Sequence, residues 1–142
     1  MGAKELNRVY MPGGNIILHA AMQISDSHIM LNDEFPKMNC KSPKSVGGAS
    51  TALYIYVKDV EKIFTQASAA GATVTMPVMD TFWVDRTGQL IDPYVHVWSF
   101  ATCKRNLSQK EMQKAQEEWF AEMARSPHGQ KLQSPTPLIN KD

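Results

Sequence analysis

Between residues 51 and 102 the hydrophobic period changes twice, and that order of periods restricts the fold more than any other feature of the chain. "STALYIYVKD" alternates, with Leu53, Ile55 and Val57 on one face and Ala52, Tyr54 and Tyr56 on the other, as a strand requires. Asp59 is a good helix N-cap, and Val60, Ile63, Phe64 and Ala67 then form a helical stripe. Gly71 stands where a helix stops on a left-handed residue. "ATVTMPV" reads as a strand that Pro77 pushes toward an edge or a bulge. "TGQLID" and "HVWSFAT" complete a hairpin. Residues 51–102 are therefore strand, helix and three strands, which fixes the class as α+β.

The flanks add less regular material. Residues 5–32 read as a three-stranded meander, with "PGG" at 12–14 and Asp26 with Ser27 as its turns. Residues 36–50, with Pro36, Pro43, Gly47 and Gly48, read as a loop without period. "SQKE" at 108–111 is a capping box, and Met112, Ala115, Trp119, Phe120 and Met123 share one face of a helix over 108–124. Pro127 ends it, and 126–142 reads as a loose tail. A short repeat links the two β-rich regions. "SHIMLN" (27–32) and "VHVWSF" (95–100) both put His second and then alternate apolar residues. The first region lacks the strand and helix that open the second.

Bulk properties exclude several function classes. The chain has 142 residues, the size of one compact domain, and a net charge of +1, so no basic footprint marks a nucleic acid or an anionic membrane as partner. No apolar run approaches membrane-spanning length. "MGAKELNRVY" has no apolar signal region, and Cys40 and Cys103 form no CxxC pair. Two free, buried thiols in a cytoplasmic protein are expected. No P-loop, GxGxxG, HExxH or Ser-His-Asp order occurs.

Val57, Asp59, Val60, the AAGA at 69–72, and then Asp85, Arg86, Gly88, Leu90, Asp92, Pro93, His96 and Trp98 carry a resemblance. The pattern resembles the vicinal oxygen chelate superfamily of glyoxalases, bleomycin-resistance proteins and extradiol dioxygenases, and within it the PhnB-like branch. The resemblance covers roughly residues 3–124 and implies paired βαβββ modules curled around a shared cavity. It implies one glyoxalase-like domain over 1–125: a module-one remnant at 3–35, the loop, module two at 51–102 and the C-terminal helix. The first strand and helix of module one are missing.

The superfamily's metal ligands do not carry over. Their positions match Tyr54 and Ser99 in module two and Leu31 in module one, a poor set for a divalent cation. The branch's turn glycine is Val95, a β-branched residue that is costly at positive φ. His96 alternates with Trp98 and Phe100 and is expected as a core or boundary histidine, and His28 likewise. His19 is the one candidate metal ligand, although a lone imidazole without carboxylates is more often structural. Asp85 and Arg86 form either a salt bridge or a ligand clamp, the bridge being favoured. Tyr54, Tyr56, Phe82, Trp83 and Ser99 are the expected ligand-binding residues around a mostly apolar cavity, because aromatics on a sheet suit a flat ligand.

The expected function is a small-molecule binder without metal, cofactor or chemistry. Two alternatives stay open: a metal-dependent lyase, isomerase or dioxygenase with unusual ligands, and a truncated assembly module. The incomplete module leaves an edge and an apolar face, so a homodimer is expected, with the helix at or near the interface and Trp119 largely buried as that helix covers the meander of its own chain or of a neighbour.

Overall fold

The computed structural model describes residues 2–24 and 26–125. The tail at 126–142 lies outside them. Two antiparallel hairpins make the first sheet, from β1 (Lys4–Tyr10), β2 (Ile17–Ile24) and β3 (Ser27–Leu31) in the order β1-β2-β3. A short helix α1 (Pro43–Val46) follows in the long connection. The second sheet comprises β4 (Ala52–Tyr56), β5 (Thr73–Asp80), β6 (Asp85–Ile91) and β7 (Val97–Cys103), ordered β4-β7-β6-β5. Helix α2 (Val60–Ala69) crosses from β4 to β5, and α3 (Gln109–Arg125) ends the described chain. The class is α+β, a complete βαβββ unit preceded by a βββ remnant.

Local chemistry sets these boundaries. The Asp59 carboxylate accepts from the Lys62 N–H at 3.0 Å and starts α2. Gly71 has φ 95°, the left-handed stop. Pro77 lies in edge strand β5, whose pairing with β6 slips twice, between Val74 and Met76 and between Met76 and Met79.

The core sits between α2 and the second sheet. Val60, Phe64, Leu90 and Phe100 are buried there, with Ile55, Val57 and Trp98 packed around them. The Phe64 and Phe100 rings meet edge-on at 6.4 Å. Burying each such side chain contributes about 1.5–3 kcal/mol. The first sheet buries only Ala20 and Ala21 among its apolar residues, so stability is concentrated in the second unit.

In the single chain helix α3 does not cover the meander. Among the described residues its backbone packs on no strand, and it buries no residue. Trp119 is half-buried and meets Phe82 at 5.4 Å, in the turn between β5 and β6 rather than on the meander. The cysteines correct another expectation: both are free, but both are exposed.

Candidate functional site

The second sheet has two unlike faces because β residues alternate. Leu90, Phe100 and Ile55 point to α2. The other face, which α2 leaves uncovered, is built by register: Tyr54 lies beside Ser99, Tyr56 beside Ala101, Gln89 beside Ser99 and Thr87 beside Ala101. Its middle is a polar row. Asp85, only 2% exposed, uses one carboxylate oxygen to accept from the Tyr56 hydroxyl at 2.7 Å and the Trp83 indole N–H at 3.1 Å. The Thr87 hydroxyl donates to the Phe100 carbonyl at 2.8 Å and lies 3.4 Å from the Tyr54 hydroxyl. The Gln89 amide donates to the Ser99 hydroxyl at 3.3 Å.

Tyr56 is perturbed by this arrangement. Its hydrogen bond to the Asp85 carboxylate, helped by desolvation and the nearby negative charge, pushes its pKa up to about 12. It therefore remains a hydrogen-bond donor near neutral pH and is no base. Ser99 has a glutamine amide, not an imidazole, as its partner, so its hydroxyl has no general base beside it among the described residues. The row can orient a ligand by hydroxyl and amide contacts.

Tyr54 and Tyr56 stand at the rim, 47% and 62% exposed, with their rings edge-on at 5.5 Å. They border a cavity of about 1080 Å³ between the free edges of β3 and β4, along with Ile24, Ile29, Leu53 and Lys62. The structure thus brings Tyr54, Tyr56, Trp83 and Ser99 to one face, but only the two tyrosines line the cavity. The lining of that face is richer in hydroxyls and amides than the apolar surface expected. Phe82 turns elsewhere, to Trp83 at 4.7 Å and to Trp119. Sequence reading missed Asp85, Thr87 and Gln89 as a set. Their spacing of two along β6 was the available signal.

Other expectations change with the geometry. Asp85 and Arg86 do not pair with each other. Arg86 reaches Glu61 on α2 and Asp80, the latter at 3.2 Å. His96 is exposed in the turn before β7, where its backbone N–H donates to the Asp92 carboxylate at 2.9 Å. His28 is exposed as well. His19 is half-buried opposite Val9, and strand alternation puts it on the face of Ala21, away from the cavity-lining Ile24.

A divalent cation does not suit the positions implied by the resemblance. Tyr54 offers a phenol already near Thr87, Ser99 a hydroxyl held by Gln89, and Leu31 an alkyl group. Among the described residues, no three His, Cys, Asp or Glu side chains converge as a metal site.

The chain matches no family model. It is 40% identical over 116 residues to an uncharacterized protein of Mycobacterium bovis, covering 80% of this chain and 76% of that one. An uncharacterized protein of Mycobacterium tuberculosis shows the same identity over the same length, with 68% of that protein covered. Among solved structures, TioX from Micromonospora sp. ML1 is 26% identical with a TM-score of 0.53, covering 72% of this chain and 80% of that one. A glyoxalase/bleomycin resistance protein/dioxygenase family enzyme from Burkholderia phytofirmans has a TM-score of 0.55 at 21% identity, with the same coverage, and shares the fold. The chain therefore belongs to one family with these mycobacterial proteins, and its βαβββ unit and partial partner are the vicinal oxygen chelate fold of the glyoxalase/bleomycin resistance/dioxygenase superfamily.

Proposed function

We propose that this protein binds a small, partly apolar or aromatic molecule against the uncovered face of the second sheet, without metal and without catalysis. The reading covers one glyoxalase-like domain over 1–125, acting as a homodimer in the cytoplasm, where free thiols such as Cys40 and Cys103 persist. The observation that carries it is the pair of exposed tyrosine rings beside a buried polar row, at the rim of a large cavity. Flat apolar surface next to fixed donors and acceptors is what a planar ligand with polar substituents needs. Ser99 and Trp83 support the floor of the site, and Phe82 backs Trp83.

The test is an equilibrium fluorescence titration with the planar probe anilinonaphthalene sulfonate, before and after chelator treatment. Saturable binding, unchanged by the chelator, is the expected result. Tyr54→Ala and Tyr56→Ala each weaken it about tenfold, the worth of one aromatic contact. Unchanged affinity in both variants overturns the site. Stoichiometric nickel, zinc or iron in protein purified without chelators overturns the metal-free reading.

A further inference from the structure

A charge held almost out of contact with water normally has a counterion beside it, because desolvating an unpaired carboxylate is costly. Asp85 has none among the described residues. It is buried, yet the two groups that donate to its carboxylate, the Tyr56 hydroxyl and the Trp83 indole N–H, are both neutral. The cations nearest in sequence are engaged elsewhere: Arg86 by Glu61 and Asp80, Lys104 by Asp80, and Arg105 by Glu111. Both neutral donors use the same oxygen, Oδ2. The other oxygen, Oδ1, accepts from no group among the described residues. No buried side-chain oxygen or nitrogen among those residues lacks a partner, so Oδ1 is where Asp85 still meets solvent. Strand alternation aims it at the open face of the sheet, with Thr87 and Gln89.

We infer that the missing counterion arrives with the ligand: the planar molecule bound on this face carries a protonated amine that donates to Asp85 Oδ1. The inference rests on the site proposed above and adds the charge of its occupant. Three features select an organic ammonium. The Tyr54 and Tyr56 rings are exposed beside the carboxylate, and phenol rings attract a cation over their faces while offering apolar surface to the rest of the molecule. An ammonium has more than one proton to place. Oδ1 takes one, and the two phenol oxygens, which give their own protons to Thr87 and Asp85, each keep a lone pair for another. A hard metal ion needs several oxygens at once, and here one open carboxylate oxygen stands among neutral hydroxyl and amide groups. The cavity as a whole is not acidic. Asp26, Lys58, Asp59 and Lys62 line it, two charges of each sign, so an anionic substituent also has a place there and the preference for an amine comes from Asp85.

Calorimetric titration of the full chain with three probes of one shape tests it: naphthylmethylamine, naphthylmethanol and naphthoate. At neutral pH the first is a cation, the second is neutral and the third an anion. The amine is expected to bind about tenfold more tightly than the alcohol, the gain of a charge-assisted hydrogen bond, and the carboxylate more weakly than either. Asp85→Asn keeps a carbonyl oxygen for Tyr56 and Trp83 but turns an amide NH₂ toward the ligand. It is expected to bring the amine and the alcohol within about twofold of each other. An amine that binds the wild type no more tightly than the alcohol or the carboxylate overturns the ammonium and leaves the site. Where none of the three binds, site and ammonium fall together. A folded Asp85→Asn protein that keeps the tenfold preference overturns Asp85 as its source. If that variant does not fold, the comparison of probes on the wild type decides.

Discussion

Tyr56 donates to a carboxylate that has almost no contact with water, and its titration reports on that contact. Its pKa moves from 10.0 to about 12 in the folded chain, so the folded state holds this proton more tightly than the unfolded one. The associated stability is fully present below pH 10 and is lost as the pH rises toward about 12. Spectrophotometric titration should show one of the four tyrosines ionising last, and Tyr56→Phe should remove that late step. Val95 is a second case, at φ 72°. A β-branched residue there costs about 1–2 kcal/mol, so Val95→Gly is expected to raise the denaturant midpoint by about 1 kcal/mol of stability despite the freer unfolded chain. The missing turn glycine made this residue legible in the sequence. Asp85 was not legible, because an adjacent Asp and Arg read as a pair, yet neighbours on a strand point to opposite faces. His96 was misread for a related reason. The Asp92 carboxylate captures the N–H groups of Tyr94 and His96, so the turn extends and β7 begins at Val97.

Elements were easier to read than their destinations. α2 and α3 begin where Asp59 and Ser108 placed them, because caps are local chemistry. At α3 the Ser108 N–H and hydroxyl both donate to Glu111, at 2.8 and 2.7 Å. The hydroxyl and N–H of Ser108, then Arg105, lower the Glu111 pKa from 4.5 to about 2. A lowered folded pKa means that the stabilisation holds above pH 4.5 and fades as pH falls toward about 2. The protection factors of the α3 amides from Met112 onward, the first that donates to a backbone carbonyl, should fall across that window, and Ser108→Ala should lower them about fivefold at neutral pH, the worth of a cap near 1 kcal/mol. What α3 packs against could not be read, because an apolar stripe demands cover without naming it. β6 carries a tighter constraint at its centre. A Cβ on Gly88 would lie 2.5 Å from the Phe64 ring and 3.1 Å from the Met76 carbonyl. Gly88→Ala is expected to cost about 1–3 kcal/mol in a chemical melt.

The molecule as a whole is unevenly held together. Its large buried side chains lie between α2 and the second sheet, while β1, β2 and β3 are pinned by their own ladders and two alanines. Native-state hydrogen exchange should separate the two units, with β6 and β7 amides exchanging only on global unfolding and those of β1 to β3 at least about a hundredfold faster. The βαβββ order over 51–102 was plain because alternation and caps agreed at every step. How the remnant is completed was not, since a strand's open side carries no mark of its partner beyond what it lacks. The uneven hold has a consequence for turnover: the first sheet opens without global unfolding, so a protease meets its strands before it meets β6 or β7.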